Sequence, residues 1–245
     1  MKKTLLALAV AAALVPSLAM AEAGDIVVRL RATHISPDTS SKLQSTTVGL
    51  DGGAAATALY GAGANAALQV DNNTIPEIDF SYYITKNIAA ELILAVGTRH
   101  DVHISGMTGA AAANSALGSV NLLPPTLTLQ WHFRPDETID PYVGAGLSYV
   151  RAMDRGLNYG GIAPIQIDRN TFGPAIQAGF DYNLENKWLI NFDVKKIWFG
   201  TDVKADTSVL AGPTLLNNAA YLGWKKIDSL DVDPWVISVG FGKKF

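Results

Sequence analysis

The chain has 245 residues, a formal net charge of −3, 17% charged residues and no cysteine. The missing cysteines exclude disulfide staples and thiolate metal sites, and the mildly acidic balance gives no argument for nucleic acid as a partner. The length suits one all-β domain, and no Pro- or Ser-rich linker or charge block marks a second.

The elements begin with a leader. Lys2 and Lys3 precede an apolar run from Leu5 to Leu18, followed by Ala19-Met20-Ala21. A charged start, an apolar run and a small-x-small motif predict a secretory signal peptide, 1–21, cleaved after Ala21. The run is too short for a transmembrane anchor. The mature chain, 22–245, contains no uninterrupted apolar stretch of about 18 residues, so it crosses a membrane only as strands.

Strand-like alternation then recurs in eight segments, roughly 25–35, 68–84, 88–105, 119–133, 140–153, 165–182, 187–203 and 227–245. Short polar connections at 85–87, 134–139 and 183–186 alternate with long ones at 36–67, 106–118, 154–164 and 204–226. Strict alternation of this kind predicts an eight-stranded antiparallel up-and-down transmembrane β-barrel, with short periplasmic turns, four long extracellular loops and both termini at the short-turn side. Part of the first loop, 48–68, is rich in Ala and Gly and carries Leu50, Leu59 and Tyr60. It reads either as an apolar lid or as a low-complexity loop.

The faces of the strands differ. Trp235, Ile237, Val239, Phe241 and Phe245 share one parity, against Ser238, Gly240, Gly242 and Lys244. Leu127, Leu129, Trp131 and Phe133 likewise oppose Thr126, Thr128, Gln130 and His132. Charges facing lipid at mid-depth cost about 2–4 kcal/mol, so the polar faces point into the lumen. This places Arg29, Arg31, Glu77, Asp79, Glu91, Arg99, Gln130, His132, Asp193 and Lys195 inside, either as a solute-binding lining or as a plug in a narrow barrel. Trp131, Trp188 and Trp235 are expected near the short turns as an aromatic girdle. If the inward parity continues unbroken, Leu122, Ile165, Ile167, Ile197, Phe199 and Val232 face inward higher up, as a greasy pocket. A bulge would turn them to lipid instead. Pro124 and Pro125 cannot donate ladder hydrogen bonds, and beside Gly97 they could open the wall between the third and fourth strands.

Nothing in the chain composes an enzyme. His100 and His103 fall on opposite strand faces and so share no metal without a bulge. His132 has no triad pattern around it, and Gly-x-Ser-x-Gly is absent. No cofactor is implied.

Several segments resemble the outer-membrane protein W (OmpW) family, which includes alkane-uptake porins. They are Gly24-Asp25-Ile26-Val27-Val28-Arg29, Asn87-Ile88-Ala89-Ala90-Glu91-Leu92, Leu123-Pro124-Pro125-Thr126-Leu127, Pro141-Tyr142-Val143-Gly144-Ala145-Gly146-Leu147 and Asp231-Val232-Asp233-Pro234-Trp235 leading into Gly240-Phe241-Gly242. The resemblance implies a narrow apolar channel for passive uptake of small hydrophobic molecules, with lateral release through the wall into outer-membrane lipid. It also implies recognition of the last strand, Phe241 and Phe245 included, by the barrel-assembly machinery. Two positions depart from the family pattern. Gly97 stands where some relatives have a gate proline, and Lys243, third from the end, stands where barrel proteins often have an aromatic or apolar residue. A plugged structural or adhesion barrel and a narrow ion or polar-solute porin are the alternative readings.

Overall fold

The computed structural model describes residues 22–51, 53, 57, 61, 63–95, 97–161, 163–206, 208 and 223–245; the expected leader lies outside them, as do Leu59 and Tyr60. The described residues form fifteen strands, numbered β1 to β15 along the chain, and little helix. Eight of them close into an antiparallel barrel in chain order: β1 (Ile26–Ser36), β3 (Asn73–Tyr83), β4 (Ile88–Ala95), β7 (Thr126–His132), β8 (Ile139–Asp154), β11 (Asn170–Asn183), β12 (Trp188–Ile197) and β15 (Trp235–Lys244). β15 returns to β1 in unbroken register, from Val27 opposite Lys244 to Ser36 opposite Trp235. Closure leaves the barrel sheet no edge to aggregate or fray.

Alternation decides which way each strand faces. On β1, Arg29 and Arg31 are buried while Leu30 between them is 47% exposed. On β7, Thr126, Thr128, Gln130 and His132 are buried and Leu127, Leu129 and Trp131 are exposed. The short turns are held by side chains that satisfy loop backbone. The Thr85 hydroxyl accepts from the Ile88 N–H at 3.1 Å, and the Asn87 side chain donates to the His132 carbonyl at 2.7 Å.

The longer segments expected from alternation do not run unbroken. They divide at 71–72, at Gly97, and at 124–125, 168–169, 198–199 and 232–234, where strands change partners. Above these breaks lie β2 (Ala67–Val70), β5 (Thr98–Ser105) and β6 (Ala116–Leu123), which extend the barrel sheet beyond the top of β8. Opposite them β9 (Gly156–Tyr159), β10 (Ala163–Ile167), β13 (Gly200–Asp206) and β14 (Trp224–Asp231) form a separate four-stranded sheet. The upper parts of the expected segments, with β9 from an expected loop, therefore form a crown with its own core, in which Leu68, Val102, Val120, Leu157, Ile165, Val203 and Leu230 are buried together. An α-helix, Leu43–Asp51, packs by β2 and β14 and puts Leu43 into that core. Asp228 on β14 anchors the chain just before it, accepting from the Ser41 hydroxyl at 2.5 Å and the Lys42 N–H at 2.6 Å. Burial raises the Asp228 carboxyl above its ordinary pKa, and these hydrogen bonds pull it partway back.

Trp131 and Trp188 lie beside the short turns, but Trp235 does not: it opposes Ser36 and Lys196 at the loop end. β15 simply starts there, its earlier half having become β14. The outward face of β15 thus runs from Trp235 to Phe245, a span of about 34 Å along the strand. At a barrel tilt near 40° this covers about 26 Å of height, matching the roughly 25 Å apolar band of outer-membrane barrels.

Closure also sets a steric limit. A Cβ at Gly240 would lie 2.1 Å from the Leu30 carbonyl oxygen and 2.7 Å from the Arg31 Cα, both backbone atoms of β1. Gly240→Val is expected to prevent the β15–β1 seam from closing. Gel mobility with and without heating checks this: wild type should shift from a compact to an extended form, and the variant should run extended throughout. A full heat-dependent shift in the variant would contradict the closure described.

Candidate functional site

The lower lumen is filled by charge. Arg29 binds Asp181 through two hydrogen bonds, Nε to Oδ1 at 3.2 Å and Nη2 to Oδ2 at 2.6 Å. Its Nη1 reaches Asp79 at 3.1 Å and the Ser81 hydroxyl at 2.6 Å. Arg31, one inward step higher, pairs with Glu77 at 2.8 Å, Asp79 at 2.9 Å and Glu91 at 3.3 Å. The other Glu91 oxygen accepts from Gln130 at 2.9 Å and Gln177 at 2.8 Å. Lys195 faces Asp193 at 3.3 Å, and the Tyr142 hydroxyl donates to Asp193 at 2.9 Å. Nearest the turns, His132 Nδ1 meets Asp140 at 2.7 Å, with Tyr83 and Tyr142 rings about it at 5.0 and 5.1 Å. These groups are nearly all inaccessible, so they form a plug.

His132, Asp140 and Asp181 bring ligand-type atoms within 4.8 Å of one another. Asp181 is nonetheless committed to Arg29 and to Asn191, which donates to it at 2.7 Å. A metal ion there would face a guanidinium. The cluster is better satisfied as a charge network.

Above the plug the lumen changes character. A cavity of about 60 Å³ begins at Glu77 and Lys195 and is otherwise lined mainly by apolar side chains, including Ile75, Ile93, Leu122, Ile197, Phe199 and Val232. A second space of about 40 Å³, sharing Val70, Leu122, Val150, Phe199 and Val232, continues it into the crown past Ile167. Ile165 lies higher still, in the crown core. Since one water needs roughly 10–15 Å³ on this measure, the pair of spaces exceeds isolated packing defects.

Beside this cavity the strands change partners. β4 and β7 pair up to Ile93 opposite Thr126, and β5 and β6 resume at Thr98 opposite Leu122. Among the described residues between them, 94, 95 and 97 are not in ladder register with 123–125. Pro124 and Pro125 occupy one side, and the Pro125 carbonyl turns away to accept from the Tyr149 N–H of β8 at 2.9 Å. Gly97 lies on the other side with φ +76° and nothing within 4 Å of its Cβ position. The Thr98 hydroxyl donates to the Leu122 carbonyl and pins the upper rim.

One expectation needs correction: Arg99 does not line the lumen. Beyond Gly97 the parity is shifted by one, so Thr98 and His100 turn inward and the Arg99 side chain is 64% exposed, 3.9 Å from Asp154. Gly97 has a positive φ that proline, fixed near −65°, does not adopt, so the proline of some relatives does not fit this backbone in place. The sequence reading missed Asp181, Asn191, Tyr142 and Gln177. The polar parity of Gln177 and Asp181 against Ile176, Phe180 and Tyr182 would have found two of them.

The OmpW family model matches residues 22–245. The chain belongs to the OmpW family. It is 40% identical to outer-membrane protein y4mB of Sinorhizobium fredii over 73% of this chain and 69% of that protein. It is 31% identical to outer membrane protein AlkL of Ectopseudomonas oleovorans over 74% and 70% of the two chains. The crystal structure of OprG from Pseudomonas aeruginosa superposes with a TM-score of 0.69 at 26% identity, covering 92% of this chain and 97% of that one. This OmpW-family chain is an eight-stranded barrel of the bacterial outer membrane, so its short turns are periplasmic and its crown extracellular.

The plug makes a stability prediction. Glu91→Leu removes the acceptor shared by Arg31, Gln130 and Gln177 and leaves buried donors unmatched. Breaking such a network by removing one member costs about 3–5 kcal/mol. Urea unfolding of the refolded barrel should show that loss. Arg134→Gln at the exposed Arg134–Glu137 pair should leave the midpoint unchanged.

Proposed function

We propose that this barrel is a passive channel that takes up small hydrophobic molecules through the crown and releases them sideways into the outer-membrane bilayer. The observation that carries this reading is one juxtaposition: an apolar cavity stands on a filled polar plug and beside an unladdered stretch of wall. An apolar solute in the cavity is kept from water at about 25 cal/mol per Å² of its surface. Moving downward, it would have to break ion pairs around Arg31 and Glu91. Moving between Gly97 and the 123–125 segment, it would pass into lipid with its surroundings still apolar. The gradient runs from dilute aqueous solute to membrane, so no energy source or cofactor is needed and no catalytic role is assigned.

Leu122, Ile197, Phe199 and Val232 would form the solute pocket, with Ile165 and Ile167 on the approach from the crown. Gly97, Pro124 and Pro125 would frame the exit. The inward polar residues Arg29, Arg31, Glu77, Asp79, Glu91, Gln130, His132, Asp193 and Lys195 would block ion flow rather than conduct it. The same plug favours a second reading, a closed scaffold that displays the crown.

Uptake of an alkane probe by cells with and without the protein separates the two. Leu122→Asp and Phe199→Asp, each with normal heat-dependent mobility, should lower uptake at least severalfold, because a carboxylate holds water in the pocket. The pair Pro124→Val with Pro125→Val restores two backbone donors to the wall and should also slow uptake. Uptake unchanged by either Asp substitution would favour the scaffold. Uptake lowered by Asp but unaffected by the valine pair would retain the channel and discard the lateral exit.

The last strand is proposed as the contact for the barrel-assembly machinery. Phe241 and Phe245 are 52% and 63% exposed on its outward face, and Lys243 lies over the Trp188 and Phe245 rings at 5.2 and 5.6 Å. Phe245→Ala should reduce the amount of protein inserted in cells while refolding in detergent proceeds as in wild type. Equal insertion in cells would remove Phe245 from this role.

A further inference from the structure

We infer that the outward face at the top of β8 and β11 is a docking surface for a phosphorylated outer-leaflet glycolipid, with Arg151 and Arg169 as its phosphate ligands. The apolar part of this face is marked by Leu147 and Phe172, 63% and 69% exposed. The Tyr149 ring lies 4.8 Å from that of Phe172, and its hydroxyl donates to the Asn170 side chain at 2.8 Å. Such an aromatic pair, with its polar tip upward, belongs at the boundary between acyl chains and headgroups. Arg151 is the next outward residue on β8, exposed between buried Val150 and Ala152 and opposite Asn170. Two strand residues place it about 7 Å above Tyr149, at headgroup height. Arg169 is exposed beside it, its carbonyl accepting from the Ala152 N–H at 2.8 Å.

Some other cations of the crown are paired. Lys204 pairs with Asp168 at 3.2 Å and Lys226 with Asp202 at 2.6 Å. Among the described residues neither Arg151 nor Arg169 has a carboxylate oxygen within 4.0 Å. The nearby Arg99 holds Asp154 only at 3.9 Å, with both side chains more than half exposed. Arginine is suited to phosphate because its planar fork donates two parallel hydrogen bonds to one anion. Two uncompensated arginines directly above a lipid-facing aromatic pair fit a ligand whose phosphate caps several acyl chains. A soluble anion would have no use for the apolar surface beneath.

The test uses the refolded full mature barrel in detergent micelles and purified lipid A as probe, with bound lipid per barrel read by native mass spectrometry. Arg151→Gln and Arg169→Gln should each weaken lipid A binding about fivefold, and the double variant about twentyfold, at about one unit of surface-arginine attraction each. Heat-dependent mobility should stay as in wild type, since both side chains are exposed. Arg134→Gln, at the periplasmic end, should bind like wild type. Dephosphorylated lipid A should bind the wild type about as weakly as lipid A binds the double variant. Equal binding by wild type and double variant, or equal binding of the two lipid forms, would overturn the proposal. So would inorganic phosphate displacing lipid A at comparable concentration, which would show a simple anion site.

Discussion

A charge that cannot face lipid must be satisfied inside, and the barrel is organised around two guanidinium groups that obey this constraint. Arg29 and Arg31 stand on one strand, yet they reach acceptors on β3, β4, β11 and β12. An eight-stranded barrel is narrow enough for such cross-lumen contacts to fill it. A one-residue slip of any of these strands would send a carboxylate into lipid and leave a guanidinium unmatched, so the network fixes register as well as blocking the bore. Its value lies less in net stability than in the penalty for breaking it, because desolvating so many charges offsets much of their attraction.

The same strands serve a different purpose above the plug. Where they divide, hydrogen-bonding partners change and the interior turns from ion pairs to aliphatic side chains. An extension of the barrel sheet, a separate four-stranded sheet and a helix then enclose an apolar core, packed as in a soluble sandwich. The breaks give the crown freedom to adopt its own geometry, and two of them, at Gly97 and at 124–125, lie at cavity height. The polar floor, the apolar chamber and the exit proposed beside it therefore share one origin, the change of partners along continuous segments.

The barrel was legible because its signal is local. Thr128, Gln130 and His132 against Leu127, Leu129 and Trp131 state both strand and facing within a few residues. The turns at 85–87 and 183–186 were equally plain from their polar residues. What parity cannot carry is a break in itself. Gly97 allowed a positive φ that inserts one residue, and Arg99 was consequently assigned inside when it points out. Trp235 was placed at the wrong end because the division of 227–245 into β14 and β15 depends on which strand lies alongside, a long-range fact. The crown is legible only in part: 98–105, 119–123 and 227–231 already read as strand, whereas β9 falls in the expected loop 154–164, because four residues give too short an alternation to stand out. Leu122, Ile197, Phe199 and Val232 line the cavity because parity survives the breaks at 124–125, 198–199 and 232–234.

The seam between β15 and β1 joins the first and last strands of the barrel, and this orders events in time. Arg29 and Asp181 are separated by 152 positions, and Thr33 and Ser238, hydrogen-bonded across the seam, by 205. Contacts so distant along the chain are slow to form, because long loops must be closed before they yield any stabilisation. The first strand therefore emerges with two cations and waits for nearly the whole polypeptide before its partners exist. Until then its open edge and bare outward leucine and isoleucine are hazards, which makes the unfolded chain dependent on escort through an aqueous compartment. The last strand acts as the clasp: its arrival shuts the edge and seals the charges away from lipid in one step, so a chain truncated before it would lack a wall rather than merely a piece of one.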